Sequence, residues 1–217
     1  MIIAIDGGVA SGKSAVGKRA AEALGVSFVD SGLMYRAVTR LAAERGIDPG
    51  DADALTELAR STELKVDEER VWADGVELTD GIFDADHMEA LPRISAIPGV
   101  RDALVEQQRR VGHGGVVMAG RDIGTVVFPD AAHKFFLTAS LEEKVRRRAA
   151  QYEKRGEHVD ADAMRKEVEA RDRVDTQRAV APLRPASDAI VIDTDELTVD
   201  QVVDTILELI KERRQSG

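Results

Sequence analysis

Eight consecutive residues near the start of the chain, Gly7-Gly8-Val9-Ala10-Ser11-Gly12-Lys13-Ser14, fit the spacing G-x-x-x-x-G-K-[ST] of a phosphate-binding loop, the P-loop. Glycines let the backbone turn tightly with no Cβ in the way, so that successive amide N–H groups converge on phosphate oxygens at a helix N-terminus. Lys13 brings a mobile point charge to the β and γ phosphates of a nucleotide, and the Ser14 hydroxyl is placed to ligate the Mg2+ that bridges them. At average residue usage such a pattern arises by accident in roughly one chain of this length in a hundred. The apolar run before it and the amphipathic segment after it supply the strand and helix that the motif requires.

A P-loop alone does not separate a kinase from a GTPase switch or an ATP-driven machine. A GTPase reads guanine through an Asn-Lys-x-Asp element, and this sequence contains no asparagine. The chain is also short for a transport ATPase domain. A small kinase with a second, acceptor pocket remains, beside the rival reading of a nucleotide-responsive binding protein that hydrolyses ATP slowly to switch conformation.

Three further stretches fit an acceptor pocket. Asp30-Ser31-Gly32-Leu33-Met34-Tyr35-Arg36 sets hydroxyl donors and an arginine at the mouth of a helix, and Gly120-Arg121-Asp122 puts a cation and an acceptor at a strand end. Arg171, Asp175 and Arg178 follow at spacings of four and three, which places them on one helical face. Arginine suits bidentate phosphate recognition, so several converging arginines imply an acceptor that is already anionic. If that acceptor is itself a phosphate, its oxygen is nucleophilic without a general base, and positioning with charge neutralisation suffices. The bland accounts are a salt-bridged surface helix for Arg171 to Arg178 and a solvated helix face for Arg146 to Arg148.

The 217 residues can hold one α/β core with a small insertion. Apolar residues make up 43% and charged residues 32%, and no apolar run approaches the ~18 residues that span a bilayer. The start lacks a basic n-region and reads as a first strand, not a signal peptide. With no cysteine there is no disulfide framework, thiol nucleophile or Cys-based metal site, which suits the cytoplasm. The net charge of -10 argues against nucleic acid as a partner, because such binding rests on a basic footprint. No membrane partner is expected, and a monomer is.

Periodicity and capping chemistry predict helices over 13–24, 33–45 and 52–60, the first two closed by Gly25 and Gly46. Strands are expected over 26–29, 115–119, 134–137 and 189–192, of which 115–119 is a continuous apolar run suited to a central position. Alternation over 63–66, 71–73 and 76–78, with an Asp74-Gly75 turn, predicts a small antiparallel insertion. Pro92 and Pro98 break 84–111 into two or three helical pieces. Ser140 to Glu143 and Thr198 to Gln201 read as capping boxes, and the polar stretch 154–158 as a candidate lid. The βαβα start predicts a parallel sheet with the site at the strands' C-terminal ends.

The P-loop, Asp-Ser-Gly-x-Met-Tyr-Arg from Asp30, Gly-Arg-Asp-Ile-Gly-Thr-Val-Val-Phe-Pro-Asp-Ala from Gly120, Arg-Asp-x-x-Asp-x-x-Arg from Arg171 and Ala179-Val180-Ala181-Pro182-Leu183 together resemble bacterial cytidylate kinases, in order and spacing over nearly the whole chain. The resemblance implies transfer of the γ-phosphoryl of ATP to CMP or dCMP with Mg2+. It implies a three-layer α/β P-loop kinase fold with a central parallel five-stranded sheet. The core would comprise 1–61 and 112–217, the acceptor-binding insertion 62–111 and the lid about 148–160.

By the same resemblance ATP is held by Gly7, Gly8, Val9, Ala10, Ser11, Gly12, Lys13, Ser14 and Ala15, with Ser14 on the metal and Lys13, Arg121 and Arg178 acting on the transferred group. Ser31, Arg101 and Asp122 would read cytosine through its amine, ring nitrogen and carbonyl. Arg36, Arg121 and Arg178 would hold the acceptor phosphate, while Arg171 and Asp175 face the ribose and the space between the nucleotides. UMP or AMP is the rival acceptor among kinases. Departures from the family are Gly8 for the usual proline, Ala15 for threonine, Leu33 for alanine, Phe83 for a frequent arginine, and Pro92 for a serine that meets the acceptor sugar.

Overall fold

The computed structural model describes residues 1–154, 156 and 159–216. Strand β1 (Ile2–Gly7), helix α1 (Lys13–Leu24), β2 (Ser27–Asp30), α2 (Ser31–Glu44) and α3 (Ala52–Ser61) come first. A hairpin meander of β3 (Leu64–Asp67), β4 (Arg70–Ala73) and β5 (Val76–Glu77) follows, then α4 (Ala85–Met88), α5 (Leu91–Ile94) and α6 (Pro98–Val111). The chain continues through β6 (Val116–Gly120), β7 (His133–Thr138), α7 (Leu141–Glu153), α8 (Ala161–Gln177), β8 (Ile190–Asp193) and α9 (Val199–Ser216).

The apolar runs form one parallel sheet in the order β2-β6-β1-β7-β8. Along each strand, successive side chains serve opposite layers. Ile3, Ile5, Val117 and Ala119 pack with Val16 and Ala20 of α1 and Val202 and Ile206 of α9. Ala4, Val116 and Met118 pack on the other side with Val38 of α2, Leu55 of α3 and Leu104 of α6. Burial on both faces is why 115–119 reads as an unbroken apolar run; β6 lies beside the central β1. The register pairs Asp6 with Gly120 and Asp30 with Ala119, which brings three strands to a level end above which the site is built.

Most element ends form as their chemistry requires. Gly25 adopts φ 65 and its N–H donates to Ala21 and Glu22 carbonyls, while the Asp30 carboxylate accepts from the Gly32 N–H at the start of α2. Thr198 and Gln201 cap one another reciprocally before α9. The Ser140 box is only half formed: Ser140 Oγ accepts from the Glu143 N–H, but the Glu143 carboxylate turns to Arg146 and Arg147, and the Ser140 N–H donates to Asp195. Two guanidinium groups outcompete one amide for that carboxylate.

The antiparallel sheet, in the order β3-β4-β5, rests on α2. Asp74 and Gly75 both take positive φ, 50 and 81, as a type I′ turn demands. At the other tip, the Glu68 N–H reaches the Phe28 carbonyl of β2 at 3.4 Å, and its carboxylate pairs with Lys18 at 3.1 Å. Another expectation changes: helix α8 stops at Gln177 and Arg178 leaves it with φ -60 and ψ 141, so Arg178 does not share the helical face of Arg171 and Asp175. Of the stretch expected as a lid, Arg148 lies within α7, and Arg155, Glu157 and His158 lie outside the described residues. No helix among the described residues is long and apolar enough to cross a membrane.

Replacing glycine by alanine inside a helix normally gains about 1 kcal/mol. At Gly17 the sign should reverse, because an added Cβ would lie 2.6 Å from Cε2 of the buried Phe28 ring. We expect Gly17→Ala to lower the urea-derived unfolding free energy by about 1–3 kcal/mol; an increase would show that Phe28 turns aside freely.

Candidate active site

The P-loop connects β1 to α1. An added Cβ at Gly7 would lie 2.5 Å from the Leu137 carbonyl, and Gly12 sits at φ 88, so both positions need glycine. Ser11 is fully buried beneath the loop, and its carbonyl accepts from Thr194 Oγ1 at 3.4 Å. Arg147 donates to the same hydroxyl at 2.9 Å, so one member of the 146–148 arginine cluster braces the loop from behind.

Lys13 Nζ folds back to donate to the Gly8 carbonyl at 3.0 Å. Burial, reinforced by Arg121 and opposed by Asp30, Asp175 and Asp172, pushes its ammonium down to about 7. Ser14 Oγ donates to Asp30 Oδ2 at 2.6 Å. A hydroxyl and a carboxylate side by side are hard oxygen donors of the kind Mg2+ takes. No group of three or more His, Cys, Asp or Glu side chains placed to hold a metal ion occurs among the described residues.

A cleft of about 590 Å3 opens from this loop, and every acceptor residue expected from the sequence lines it: Ser31, Arg36, Arg101, Arg121, Asp122, Arg171, Asp175 and Arg178. On the donor side its wall includes Val9, Ala10, Gly12, Lys13, Ser14 and Ala15, with Gly7, Gly8 and Ser11 forming the base of the loop. The end of the cleft lined by Arg101 and Asp122 is tightly wired. Arg101 forms a buried ion pair with Asp122, donates to the Ser95 carbonyl at 2.9 Å and stands 5.3 Å over the Tyr35 ring. Ser31 Oγ donates to the Ala119 carbonyl at 2.9 Å.

Asp175 is the hub of the arginines. Arg121 Nε donates to its Oδ2 at 2.7 Å, Arg171 Nε lies 3.6 Å from the same oxygen, and Arg178 Nη1 lies 4.0 Å from Oδ1. Burial alone would raise the Asp175 carboxyl, but Arg121 and Arg171 hold it below its ordinary range. Arg178 leaves the helix to reach this hub, with Nη2 3.8 Å from Asp122 Oδ1 and without a hydrogen-bond partner among the described residues. Arg101 Nε is likewise unpartnered there, and both arginines belong to the set expected to grip the acceptor.

Arg36 stacks at 4.7 Å on Phe83, the ring that stands in place of an arginine. Burial lowers the Arg36 guanidinium to about 10; Asp30 opposes the shift, and Arg171, Arg148 and Arg121 add to it. Near Pro92 the cleft wall is formed by Leu91 and Ser95, and the Pro92 carbonyl accepts from Ser95 Oγ at 3.2 Å.

Four residues of this region escaped the sequence reading. Asp6 accepts from the N–H groups of Ile123 and Gly124, both at 2.8 Å. Asp30 is read with the Asp30 to Arg36 stretch, Asp172 with its motif, and Arg148, paired with Glu167 at 2.9 Å, with the arginine cluster and the start of the lid, none of them with a contact of its own. For Asp6 a signal existed: a charge at the end of a buried apolar strand must have partners.

The sequence profile described as Cytidylate kinase matches residues 3–212. The cytidylate kinase of Desulfitobacterium hafniense (strain Y51) is 42% identical over 219 residues, which cover 99% of this chain and 94% of that protein. The cytidylate kinase of Anoxybacillus flavithermus (strain DSM 21510 / WK1) is 45% identical, covering 97% of this chain and 96% of that one. The bifunctional pantoate ligase/cytidylate kinase of Synechococcus sp. (strain JA-3-3Ab) is 45% identical over 97% of this chain, which spans 41% of that longer protein. An uncharacterized protein from Eubacterium ventriosum ATCC 27560 shares the fold alone, with a TM-score of 0.50 at 15% identity over 97% of this chain and 98% of that one. With the profile running almost from end to end over a P-loop and an arginine-lined cleft, the chain belongs to the cytidylate kinase family.

Proposed function

We propose that the chain transfers the γ-phosphoryl group of ATP to CMP or dCMP, giving ADP and CDP or dCDP. The observation that carries the base assignment is the hydroxyl of Ser31, whose hydrogen is committed to the Ala119 carbonyl. Its Oγ can then only accept, and Asp122 in the same cleft also accepts, whereas Arg101 only donates. Two acceptors suit the exocyclic amine of cytosine, and the arginine suits its ring nitrogen and carbonyl. Uracil presents a carbonyl where cytosine has the amine and a ring N–H where cytosine has a lone pair, so UMP meets mismatched partners, a penalty that hydrogen-bonding sites enforce strongly.

Arg36, Arg121 and Arg178 hold the acceptor phosphate, and Arg171 and Asp175 face the sugar and the space between the nucleotides. An oxygen of that phosphate attacks the γ-phosphorus, the bond to the bridging β–γ oxygen breaks, and ADP leaves with the electron pair. No general base is required, because the nucleophilic oxygen carries no proton that must be removed first. Lys13 and the arginines neutralise charge spread over the transferred group. Ser14, with Asp30 behind it, would hold Mg2+, which would supply further charge neutralisation.

We assign residues 62–111 to acceptor binding and about 148–160 to a lid whose closure excludes water, since an open site would waste ATP by hydrolysis. We take the protein to act in the cytoplasm as a monomer. With Pro92 turned to Ser95, no proline donor reaches the sugar, which suits acceptance of both CMP and dCMP.

Incubation with ATP and each nucleoside monophosphate should give ADP formation that depends on CMP; acceptor-independent hydrolysis alone would favour the switch-like binding protein. Lys13→Ala should reduce kcat on the order of a hundredfold or more, and near-normal turnover would contradict its role. Asp122→Asn should weaken CMP far more than ATP, and equal losses would remove it as a base reader. Because Lys13 sits at about 7, it is largely neutral at pH 8, and triphosphate charge should restore its proton. Calorimetry of MgATP binding in buffers of different ionisation enthalpy should therefore show uptake of about one proton at pH 8 and little at pH 6. Lys13→Met should abolish the difference, and uptake that persisted in it would reassign the proton.

A further inference from the structure

Asp172 makes none of the phosphate, base or sugar contacts proposed above, yet through it α8 touches the P-loop. The Val9 N–H donates to Asp172 Oδ1 at 3.0 Å. Lys144 of α7 donates to Oδ2 at 2.7 Å, so both carboxylate oxygens are committed and the charge is matched. The pair is largely sheltered, with side chains 17% and 22% exposed. In such surroundings a charge-assisted hydrogen bond to backbone is stronger than a neutral one.

Gly8 explains how the carboxylate comes so close. A Cβ built on Gly8 would lie 2.9 Å from Asp172 Oδ1 and 3.3 Å from Lys144 Nζ. The backbone at Gly8 is outside the positive-φ region, unlike Gly12, so glycine is not required there by conformation. What its missing side chain provides is room for the Asp172–Lys144 pair.

The position of the tie matters for the reaction. Asp172 follows Arg171 directly and precedes Asp175 by three residues, so the bond to Val9 sets where the α8 hub stands relative to the loop that carries the donor phosphates. In-line transfer is sensitive to such placement, since reacting atoms must be held about 3–3.5 Å apart and a displacement of about 1 Å can cost a hundredfold.

We propose that Asp172 is a positioning residue for phosphoryl transfer: with Lys144 it fastens α8 to the Val9 N–H of the P-loop, and Gly8 is the gap that admits it. The proposal rests on the kinase reading above. Wild-type protein is therefore assayed first for CMP-dependent ADP formation, and its absence would end that reading and the proposal with it.

In an active enzyme, Asp172→Ala should lower kcat by about 10- to 100-fold while KM for ATP and for CMP each change by less than about threefold. Asp172→Asn, which keeps an acceptor for the Val9 N–H, should recover most of the lost kcat, a rescue that also guards against an Asp172→Ala protein that folds poorly. Gly8→Ala should lower kcat in the wild-type background by displacing the carboxylate and have little further effect in Asp172→Ala, because the clash is then gone. Unchanged kcat in Asp172→Ala, a loss confined to KM for ATP, failure of Asn to rescue, or additivity of the Gly8 and Asp172 substitutions would each overturn the assignment while leaving the kinase reading intact.

Discussion

Both halves of the cleft depend on the buried carboxylate of Asp6. It stands at the end of β1, immediately before the P-loop, and its two oxygens take the N–H groups of Ile123 and Gly124, the residues that follow Asp122. One side chain thus fixes the P-loop and Asp122 to a common frame. Burial raises its pKa to about 6, against the pull of the two amides and of Lys13, with Asp122 adding to the rise. A native value above the unfolded one means that the associated stability is fully present below the unfolded value of 3.8 and is lost as pH rises through about 6. At neutral pH the ionised group therefore costs stability. What it provides in return is geometry: two backbone donors anchored to one strand end.

The same trade governs the arginines. A chain of net charge -10 concentrates Arg36, Arg101, Arg121, Arg171 and Arg178 in one cleft, where burial works against the charged form of Arg36, Arg171 and Arg178. Asp122 and Asp175 offset the mutual repulsion without filling the arginines' donor capacity, as the unpartnered Arg178 Nη2 and Arg101 Nε show. Such a cluster is charged and oriented before an anion arrives, so little reorganisation remains for the reaction itself. Cationic side chains gathered in one cleft of an acidic chain are consistent with a small polyanionic substrate.

The P-loop and the parallel core were legible because each rests on local chemistry, glycine at a forced turn and apolar runs buried on two faces, whereas Arg101 entered the acceptor set through the family resemblance alone. What was not legible depends on contacts between distant segments. Ser14 with Asp30, Asp6 with Ile123 and Val9 with Asp172 join residues that no periodicity relates. Arg178 was misplaced on a helical face because spacing alone does not reveal that α8 ends one residue earlier, and the Ser140 box failed because Arg146 and Arg147 compete for its glutamate. In both cases a tertiary or charge-assisted partner overrode a local preference.

The contact between Glu68 and Phe28 has a bearing on association as well as on the cleft. Strand β2 is one edge of the five-stranded sheet, and an edge presents unpaired backbone groups that invite another chain to add a strand. The β3–β4 tip lays its own backbone on that edge, through the Glu68 N–H and the Phe28 carbonyl, and surrounds the junction with Glu68, Glu69 and Lys18. The meander next to the cleft is thereby also a guard against intermolecular strand addition. Lifting the tip from β2 would leave the Phe28 carbonyl without that partner and unmask the edge.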